Sequence, residues 1–310
     1  MRMDYVKYAF YNEPLSKHTT FKVGGNAEIM VRPPANDFAE TAKQVMIYAK
    51  ENDKRVFVLG GGSNVVFCDA GFKGIVLDTS LNTAEPLIVE CKRQTGENES
   101  FKEMTFLSGT LSDDASKAAC KNSSGGLEFL SSLPGTIGGA VRMNARCFDQ
   151  SISDKISRVE ILDKNLQRVI VPYNASDWDY KKSPFQKDNI IILSATFKLK
   201  NGTQKVIAQK MESYNIEREK RGHFLLPSAG SVFKNNREHG KPAGQIIDEL
   251  GLRGKEIGGA RIAPWHGNFI VNHNNAKASD IAALVKLAQS TAYEKLGILL
   301  EREIIFVDFD

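Results

Sequence analysis

The apolar residues of this chain follow two periods, which separate its predicted helices from its predicted strands. In residues 38–52 they recur every three or four positions, as in a helix with one buried face. The apolar run at residues 56–59 follows, so the sequence predicts a helix–strand unit. The helical period returns at residues 112–121, 206–220, 243–250 and 279–296. Ser279 and Asp280 at the start of the last segment, and Gly297 after it, are typical helix caps.

Strand patterns occupy most of the chain between these helices. Short apolar or alternating runs predict strands on both sides of residues 71–74 and at residues 87–91, 104–107, 156–162, 168–172, 190–200, 259–262, 269–272 and 303–307. The polar stretch at residues 92–102 predicts an exposed hairpin loop. This mixture predicts an α+β protein. The 310 residues, 42% of them hydrophobic, are enough for two or three domains, and the more helical texture from about residue 205 indicates a separate one.

The charge balance argues against a nucleic-acid-binding protein. The net charge is only +4, from 41 basic and 37 acidic residues spread along the chain. No apolar run approaches the roughly twenty residues of a membrane helix. The four cysteines lie far apart, and the five histidines show no metal-ligand spacing, so we expect reduced thiols and no metal site. The first residues have no apolar signal core, which indicates a cytoplasmic protein.

Two glycine-rich loops carry the clearest chemistry in the sequence. Loops with so many glycines let backbone N–H groups approach an anionic ligand, because no Cβ blocks the way. Two of them predict a large phosphorylated cofactor, whereas the alternative is a pair of tight turns between packed strands. The candidate cofactor-binding residues are Gly60, Gly61, Gly62, Ser63, Asn64, Pro134, Gly135, Thr136, Gly138 and Gly139.

Neither loop has the sequence of a common nucleotide-binding motif. The residues after Asn64 are β-branched and aromatic, so no helix is expected to begin there, and this excludes a Rossmann-type loop. No Gly-Lys-Ser or Gly-Lys-Thr follows either loop, so a Walker-type phosphate loop is excluded as well.

Four ordered sequence blocks resemble those of the UDP-N-acetylenolpyruvoylglucosamine reductase family, in its shorter type. The blocks are Thr-Thr-Phe-Lys-Val-Gly-Gly at residues 19–25, the loop at residues 60–64, residues 126–144, and Ala-Gly-Ser-Val-Phe-Lys-Asn at residues 229–235. Ala-Gly at residues 243–244 and Leu-Glu-Arg-Glu at residues 300–303 follow in the same order. The resemblance therefore spans nearly the whole chain.

The resemblance implies a fold and an activity. The expected fold is a vanillyl-alcohol-oxidase-like FAD-binding domain in two parts, residues 1–82 and 83–204, followed by an α+β substrate-binding domain at residues 205–310. The expected reaction is NADPH-dependent reduction of UDP-N-acetylglucosamine enolpyruvate to UDP-N-acetylmuramate through non-covalent FAD, in bacterial peptidoglycan precursor synthesis. The expected partner is this UDP-sugar alone, without nucleic acid or membrane, and the expected state is a monomer.

The same resemblance assigns two catalytic residues. Ser231 would donate the proton that completes reduction of the enol ether, and Glu303 would bind or polarise the substrate carboxylate. Two facing carboxylates repel unless one is protonated, so Glu303 is expected to hold a proton when substrate is bound. From the residues alone, Ser231 could instead cap a turn. Glu301 and Glu303 could equally share the solvated face of a strand.

The sequence departs from the family where a Tyr-Arg pair is usual. Here Tyr180 is followed by Lys181, which keeps the charge expected beside the substrate carboxylate but not the bidentate fork. We expect Lys181 to be catalytic, although Lys182 or Arg146 could supply the charge instead. Tyr180, Lys234 and Asn235 are candidate substrate-binding residues, and the alternative for the last two is a surface turn. His266 and Asn268 are interpreted as structural.

Two rival functions remain open from the sequence. One is an oxidase of the same flavin superfamily with another substrate, and the other is a non-catalytic UDP-sugar-binding protein.

Overall fold

The computed structural model describes residues 4–92, 100–186 and 190–309. Most of the hairpin loop expected at residues 92–102 therefore lies outside the described residues, which show strands up to residue 92 and again from residue 100. No helix among the described residues is long and apolar enough to cross a membrane.

The secondary structure alternates strands and helices along the chain. The α-helices are α1 Ala35–Glu51, α2 Ser112–Lys121, α3 Ile137–Arg142, α4 Gln204–Lys220, α5 Ala243–Glu249 and α6 Ala278–Leu296. The strands up to residue 151 are β1 Ala9–Pro14, β2 Asn26–Val31, β3 Val56–Leu59, β4 Val65–Phe67, β5 Phe72–Asp78, β6 Leu87–Lys92, β7 Ser100–Leu107, β8 Ser124–Gly125, β9 Arg146–Cys147 and β10 Gln150–Ser151. The later strands are β11 Ile156–Leu162, β12 Arg168–Pro172, β13 Ile191–Asn201, β14 Glu256–Ile257, β15 Ala260–Ile262, β16 Ile270–Asn272 and β17 Ile305–Val307.

The chain divides into two compact units, each built from separate stretches of sequence. The first comprises Met1–Ala9, Val31–Gly61 and Val76–Glu217. The second comprises Phe10–Met30, Gly62–Ile75 and Arg218–Asp310. The three-domain boundaries expected from the sequence stay a prediction.

A large antiparallel sheet forms the centre of the first unit. Its strand order is β12-β11-β13-β7-β6, with β8 beside β13. Phe106 of β7 and Phe197 of β13 are fully buried and pack with apolar residues of α2 and α3. Thr105 and Thr196, which precede these two phenylalanines, point to the opposite face of the sheet. Their hydroxyls lie 2.8 Å apart. The sheet therefore supports α2 and α3 on one face.

Helix α3 begins inside the second glycine loop, which the sequence analysis did not predict. Thr136 is its N-cap and accepts a hydrogen bond from the Gly139 N–H at 3.4 Å. Ile137 and Val141 are fully buried and anchor the helix to the core. Two glycines in its six residues weaken the helical period, so the buried face is visible only in the folded chain.

The second unit packs α5 and α6 against the sheet β14-β15-β16. Helix α6 buries residues at helical spacing, including Ile281, Leu284, Val285 and Ala288, and it ends at Gly297 with a left-handed φ of 68°. The predicted helix and its glycine cap are thus confirmed, whereas the predicted start at Ser279 is wrong, because the N-cap is Lys277.

Smaller sheets complete the fold. One has the strand order β1-β2-β5-β3, β9 pairs with β10, and β4 pairs in parallel with β17. The last strand is shorter than predicted, because it begins at Ile305 and not at residue 303. Glu301 and Glu303 lie before this strand, on either side of Arg302, which forms an isolated antiparallel bridge with Phe233.

Candidate functional site

The two glycine loops, far apart in sequence, meet in the first unit. A Cβ placed on Gly61 would lie 2.7 Å from the Cα of Gly135, and one on Gly60 would lie 2.7 Å from Oγ1 of Thr136. Contacts this short are not tolerated, so the loops pack together only because both glycines lack side chains. Gly135 also has a φ of 113°, which favours glycine. The structure thus brings together four of the predicted cofactor-binding residues.

The second loop is fixed by hydrogen bonds to the segment that follows β7. The N–H groups of Ile137 and Gly138 donate to the carbonyls of Thr110 and Ser108, both at 2.8 Å. The Ser112 N–H donates to the Gly135 carbonyl at 3.0 Å. The glycine loop is therefore preorganised, with the amides of Ile137, Gly138 and Gly139 already used within the protein.

Two buried hydroxyls in this segment support a fit to a phosphorylated cofactor. Oγ1 of Thr110 and Oγ of Ser112 have no hydrogen-bond partner among the described residues. An unpaired buried hydroxyl typically costs about 1–3 kcal/mol, and a polar ligand would remove that cost. Bare glycine backbone beside these hydroxyls is the donor set that a pyrophosphate needs, so these residues fit FAD. The sequence analysis missed both, although Ser-Gly-Thr after a strand was a signal.

The rest of the first glycine loop lies in the second unit. The Gly62 carbonyl accepts a hydrogen bond from the Thr20 N–H at 3.1 Å. The side chain of Asn64 donates to the Glu303 carbonyl at 3.1 Å, and its own carbonyl accepts from Ile305 N–H at 2.9 Å. The Asn64 carboxamide thus contacts the Glu303 backbone, which the cofactor-loop interpretation did not anticipate.

Ser231 follows Gly230, whose φ of 71° places the turn in the left-handed region. Ser231 pairs with Phe269 in an isolated antiparallel bridge. It is half-buried, and its hydroxyl makes no hydrogen bond to another described residue. On the other side, the Glu303 N–H donates to the Val232 carbonyl at 2.8 Å. The structure therefore brings the segments of Ser231 and Glu303 together.

The two C-terminal glutamates have different surroundings. Glu301 has a side chain that is 71% exposed, and it forms an ion pair with Lys234. Glu303 is half-buried. The predicted substrate residue Lys234 is thus paired within the protein, and Oδ1 of Asn235 accepts the Ala243 N–H at 2.9 Å, at the start of α5.

The predicted Tyr180–Lys181 pair belongs to the first unit. Lys181 has a left-handed φ of 57° in a turn closed by reciprocal hydrogen bonds between Asp179 and Lys182. The Asn144 side chain donates to the Asp179 carbonyl at 2.8 Å. The Gln186 side chain donates to the Lys181 carbonyl at 2.9 Å. The backbone that presents Lys181 is therefore held at both ends of the turn.

Arg146, the alternative cation, is engaged locally. Its guanidinium donates to Ser151 Oγ at 3.2 Å and to Asp149 Oδ1 at 3.4 Å. Arg142 instead donates to the carbonyls of Phe185 and Gln186, at 2.6 and 3.2 Å. Both arginines therefore contact neighbouring groups of the first unit, and the choice between Lys181 and Arg146 stays a prediction.

His266 is half-buried next to Phe269, the bridge partner of Ser231. Its ring centroid lies 4.5 Å from that of Phe269, and burial, together with the charge of Arg221, lowers the pKa of the imidazole. Its Nδ1 accepts the Asn268 N–H at 3.2 Å, which leaves the proton of the neutral ring on Nε2. No sequence pattern around His266 predicts a fixed tautomer.

Comparisons with known proteins agree with this geometry. The profile of the FAD binding domain family matches residues 37–167, and that of the UDP-N-acetylenolpyruvoylglucosamine reductase C-terminal domain matches residues 221–307. These matches confirm the predicted FAD-binding fold followed by a C-terminal α+β domain.

Relatives cover almost the whole chain. The UDP-N-acetylenolpyruvoylglucosamine reductase of Treponema denticola is 42% identical over 96% of this chain and 92% of its own length. That of Borreliella burgdorferi is 38% identical over 95% and 93%. The crystal structure of the Thermus caldophilus UDP-N-acetylenolpyruvylglucosamine reductase aligns with a TM-score of 0.74 and 28% identity, covering 96% of this chain and 98% of that one. With identity at this level over nearly its full length, the chain belongs to the UDP-N-acetylenolpyruvoylglucosamine reductase family.

Proposed function

We propose that this protein reduces UDP-N-acetylglucosamine enolpyruvate to UDP-N-acetylmuramate for peptidoglycan synthesis, with FAD as cofactor and NADPH as reductant. The observation that carries this proposal is the pairing of the Ser231 and Glu303 segments, through the Glu303 N–H and the Val232 carbonyl at 2.8 Å. The paired segments carry a hydroxyl that can donate a proton and a carboxyl group, and reduction of an enol ether beside a carboxylate requires both.

Paired glycine loops would hold the cofactor. When bound, FAD supplies the hydride chemistry between NADPH and the substrate. Gly60, Gly61 and Gly135 would give its pyrophosphate close access to backbone, and the hydroxyls of Thr110 and Ser112 would gain a hydrogen-bond partner. The predicted contacts of Gly62, Ser63, Asn64, Pro134, Thr136, Gly138 and Gly139 belong to the same proposal.

Ser231 would protonate the substrate carbon. Its hydroxyl makes no hydrogen bond to another described residue, so it can turn toward a ligand. A serine hydroxyl is a weak acid and would protonate only a strongly basic, enolate-like carbon. A neighbouring group must therefore stabilise the negative charge that develops on the substrate.

Glu303 and Lys181 would divide that task between them. Glu303 would contact the substrate carboxylate in its protonated form, because two ionised carboxylates would repel each other. Lys181 would supply the positive charge, since the guanidinium of Arg146 already donates to Ser151 and Asp149. Tyr180, Lys234 and Asn235 would complete the substrate contacts.

The proton-donor role is tested by measuring the two half-reactions of Ser231→Ala separately. Reduction of bound FAD by NADPH needs no proton delivery to the sugar, so its rate should stay within about 2-fold. Reoxidation of the reduced enzyme by the enolpyruvyl sugar should slow by roughly 100-fold or more, as expected for a lost general acid. Ser228→Ala, in the same segment, is the matched control and should leave both rates unchanged. Equal slowing of both half-reactions by Ser231→Ala would make Ser231 a structural residue.

The rival functions differ in measurable ways. An oxidase would be rapidly reoxidised by oxygen after reduction, whereas the proposed reductase requires the enolpyruvyl sugar. A binding protein would show no NADPH oxidation dependent on that sugar. Either outcome would remove the proposed reaction.

We also propose that the protein acts as a monomer in the bacterial cytoplasm, without nucleic-acid or membrane partners. The balance of 41 basic and 37 acidic residues supports a small-molecule partner over a polyanion. Size-exclusion chromatography with light scattering would test the monomer.

A further inference from the structure

The segment that carries Ser231 has little regular strand pairing to hold it. Among the described residues, its ladder contacts are two isolated bridges, Ser231 with Phe269 and Phe233 with Arg302. An isolated bridge fixes the register of a strand weakly, and a slip by one residue turns every side chain to the opposite face. Something else must therefore keep the Ser231 hydroxyl on its side of the segment.

The side chain of Asn268 provides the missing pairing. Its Oδ1 accepts the Phe233 N–H at 2.9 Å, and its Nδ2 donates to the Phe233 carbonyl at 2.8 Å. The Asn268 backbone carbonyl also accepts the Val232 N–H at 2.9 Å. The carboxamide thus takes the place of a peptide group on a neighbouring strand, with one donor and one acceptor.

These bonds determine which face of the segment carries the Ser231 side chain. Ser231 and Phe233 are two positions apart in an extended segment, so their side chains share one face. Val232, between them, accepts the Glu303 N–H through its carbonyl and donates its own N–H to Asn268. Asn268 is only 3% exposed, so water cannot replace its bonds at low cost.

We infer that Asn268 is a positioning residue for proton transfer, which holds the Ser231 hydroxyl on its face of the segment. This inference rests on the proposed role of Ser231 as proton donor. Asn268 itself touches no reacting atom and acts only through the Phe233 peptide. It therefore has a role beyond the purely structural one interpreted from the sequence.

Asn272, the last residue of β16, offers a matched control. It also bridges two backbone groups through its side chain, donating to the Phe21 carbonyl at 3.1 Å and accepting the Ala276 N–H at 2.9 Å. Neither partner belongs to the segments of Ser231 or Glu303. Loss of its side chain should lower stability in the same way without disturbing the donor.

The test is a double-mutant cycle on the reoxidation of reduced enzyme by the enolpyruvyl sugar. Asn268→Ala should slow this step by roughly 10- to 100-fold, the scale expected for a misplaced donor, and leave reduction by NADPH within about 2-fold. Adding Asn268→Ala to Ser231→Ala should cause no slowing beyond about 2-fold, because the misplaced group is already gone. Asn272→Ala should lower Tm comparably and leave both half-reactions unchanged.

The outcomes separate this inference from the proposed function. Fast reoxidation by Ser231→Ala would remove the proton-donor role itself. Slow Ser231→Ala combined with a further, multiplicative slowing by Asn268→Ala would overturn only the positioning role, as would equal slowing by Asn272→Ala. If Asn268→Ala does not fold, Asn268→Asp takes its place in the cycle, since it keeps the acceptor for the Phe233 N–H and loses only the donor.

Discussion

The glycine loops of the first unit are held together by the absence of side chains, whereas the Ser231 segment of the second unit is held by a side chain. Between the loops, Gly61 and Gly135 approach so closely that a Cβ would meet backbone at 2.7 Å. Around Ser231, the Asn268 carboxamide makes two hydrogen bonds that a strand would otherwise make. In the first arrangement two stretches of backbone touch, and in the second a carboxamide takes the place of a strand.

This difference teaches which changes each region can accept. A region built on bare backbone tolerates no added atom, because the obstacle is another backbone that cannot move aside. A region built on a carboxamide tolerates changes in volume better than loss of a donor or acceptor. The cofactor region is thus sensitive to size, and the donor region is sensitive to hydrogen-bonding pattern.

Substitution of Lys181 has the largest expected effect on the reaction rate. A catalytic role for Lys181 would place a charged side chain of the first unit in the reaction, so the first unit would contribute more than bare backbone. Lys181→Ala should slow reoxidation by the enolpyruvyl sugar by about 10²–10³-fold, which corresponds to the loss of a preorganised charge worth about 3–4 kcal/mol. Lys181→Arg keeps the charge and should stay within about 10-fold of the native rate. Stopped-flow flavin absorbance would measure both.

Arg146→Gln is the control for this prediction. The Arg146 guanidinium donates to Ser151 and Asp149, so its loss should leave the reoxidation rate nearly unchanged. Near-normal turnover by Lys181→Ala together with collapse in Arg146→Gln would move the role to Arg146. The first unit would then still carry a catalytic charge, from a different segment.

Alanine substitutions at Gly61 and Gly139 separate two reasons for a glycine in these loops, which are close packing of the backbone and access for a ligand. Gly61→Ala should lower the free energy of unfolding by about 1–3 kcal/mol and weaken FAD binding, because its Cβ would collide with Gly135. A Cβ on Gly139 would meet only Oγ1 of Thr136, at an ordinary 3.6 Å. Gly139→Ala should therefore keep or raise stability, by up to about 1 kcal/mol in a helix.

Flavin fluorescence quenching would then measure the FAD affinity of both variants and show whether the cofactor occupies the open space at Gly139. Weaker FAD binding by a stable Gly139→Ala protein would assign that space to the cofactor. Unchanged FAD affinity in Gly139→Ala would remove Gly139 from the cofactor contacts. A Gly61→Ala protein as stable as the native one would contradict the close approach of the loops.

Substitution of Asp69 has the smallest expected effect on stability. Its hydrogen bonds in the second unit should make that stability depend on pH. Its carboxylate accepts the N–H groups of Ala278 and Ser279 at 2.7 and 3.0 Å, at the start of α6. Although burial opposes ionisation, the hydrogen bonds from Ser279 and Ala278 lower the pKa of Asp69. A lowered pKa in the folded state stabilises the protein above the unfolded value, and this gain is lost as pH falls below about 4.

Two variants would measure that contribution. Asp69→Ala should cost about 1 kcal/mol at neutral pH, as for other lost helix caps. Asp69→Asn keeps an oxygen acceptor, so it should cost less and lose part of the acid sensitivity. Urea unfolding at pH 7 and at pH 3.5 would show this, and an unchanged pH dependence in Asp69→Asn would contradict it.

Local patterns in the sequence were sufficient for the elements that depend on local interactions. The predicted helix at residues 112–121 is α2 at its full length, and the helix before Gly297 ends where its glycine cap requires. The glycine loops were predicted to bind a cofactor from their composition alone, and this assignment stays a prediction. In these places the cause of the structure lies within a few residues.

The features that the sequence analysis missed depend on partners far along the chain. Helix α3 is short and glycine-rich, so its own spacing of apolar residues predicts a helix only weakly. The contacts of Ile137 and Val141 with the core stabilise it instead. Glu301 and Glu303 differ because Lys234 pairs with only one of them. The sequence around Asn268 does not distinguish it from other loop asparagines, because its partner Phe233 lies 35 positions away in the chain. No local pattern contains this information.

The parallel pairing of β4 with β17 sets an order of events during protein synthesis. Val65 pairs with Ile305, and the Asn64 side chain contacts the Glu303 carbonyl across 239 positions of sequence. Residues near the amino end must therefore wait for almost the whole chain before these contacts can form. The segments of Ser231 and Glu303 are accordingly among the last parts to pair, and a nascent chain that already has its glycine loops still lacks the partner of the Ser231 segment.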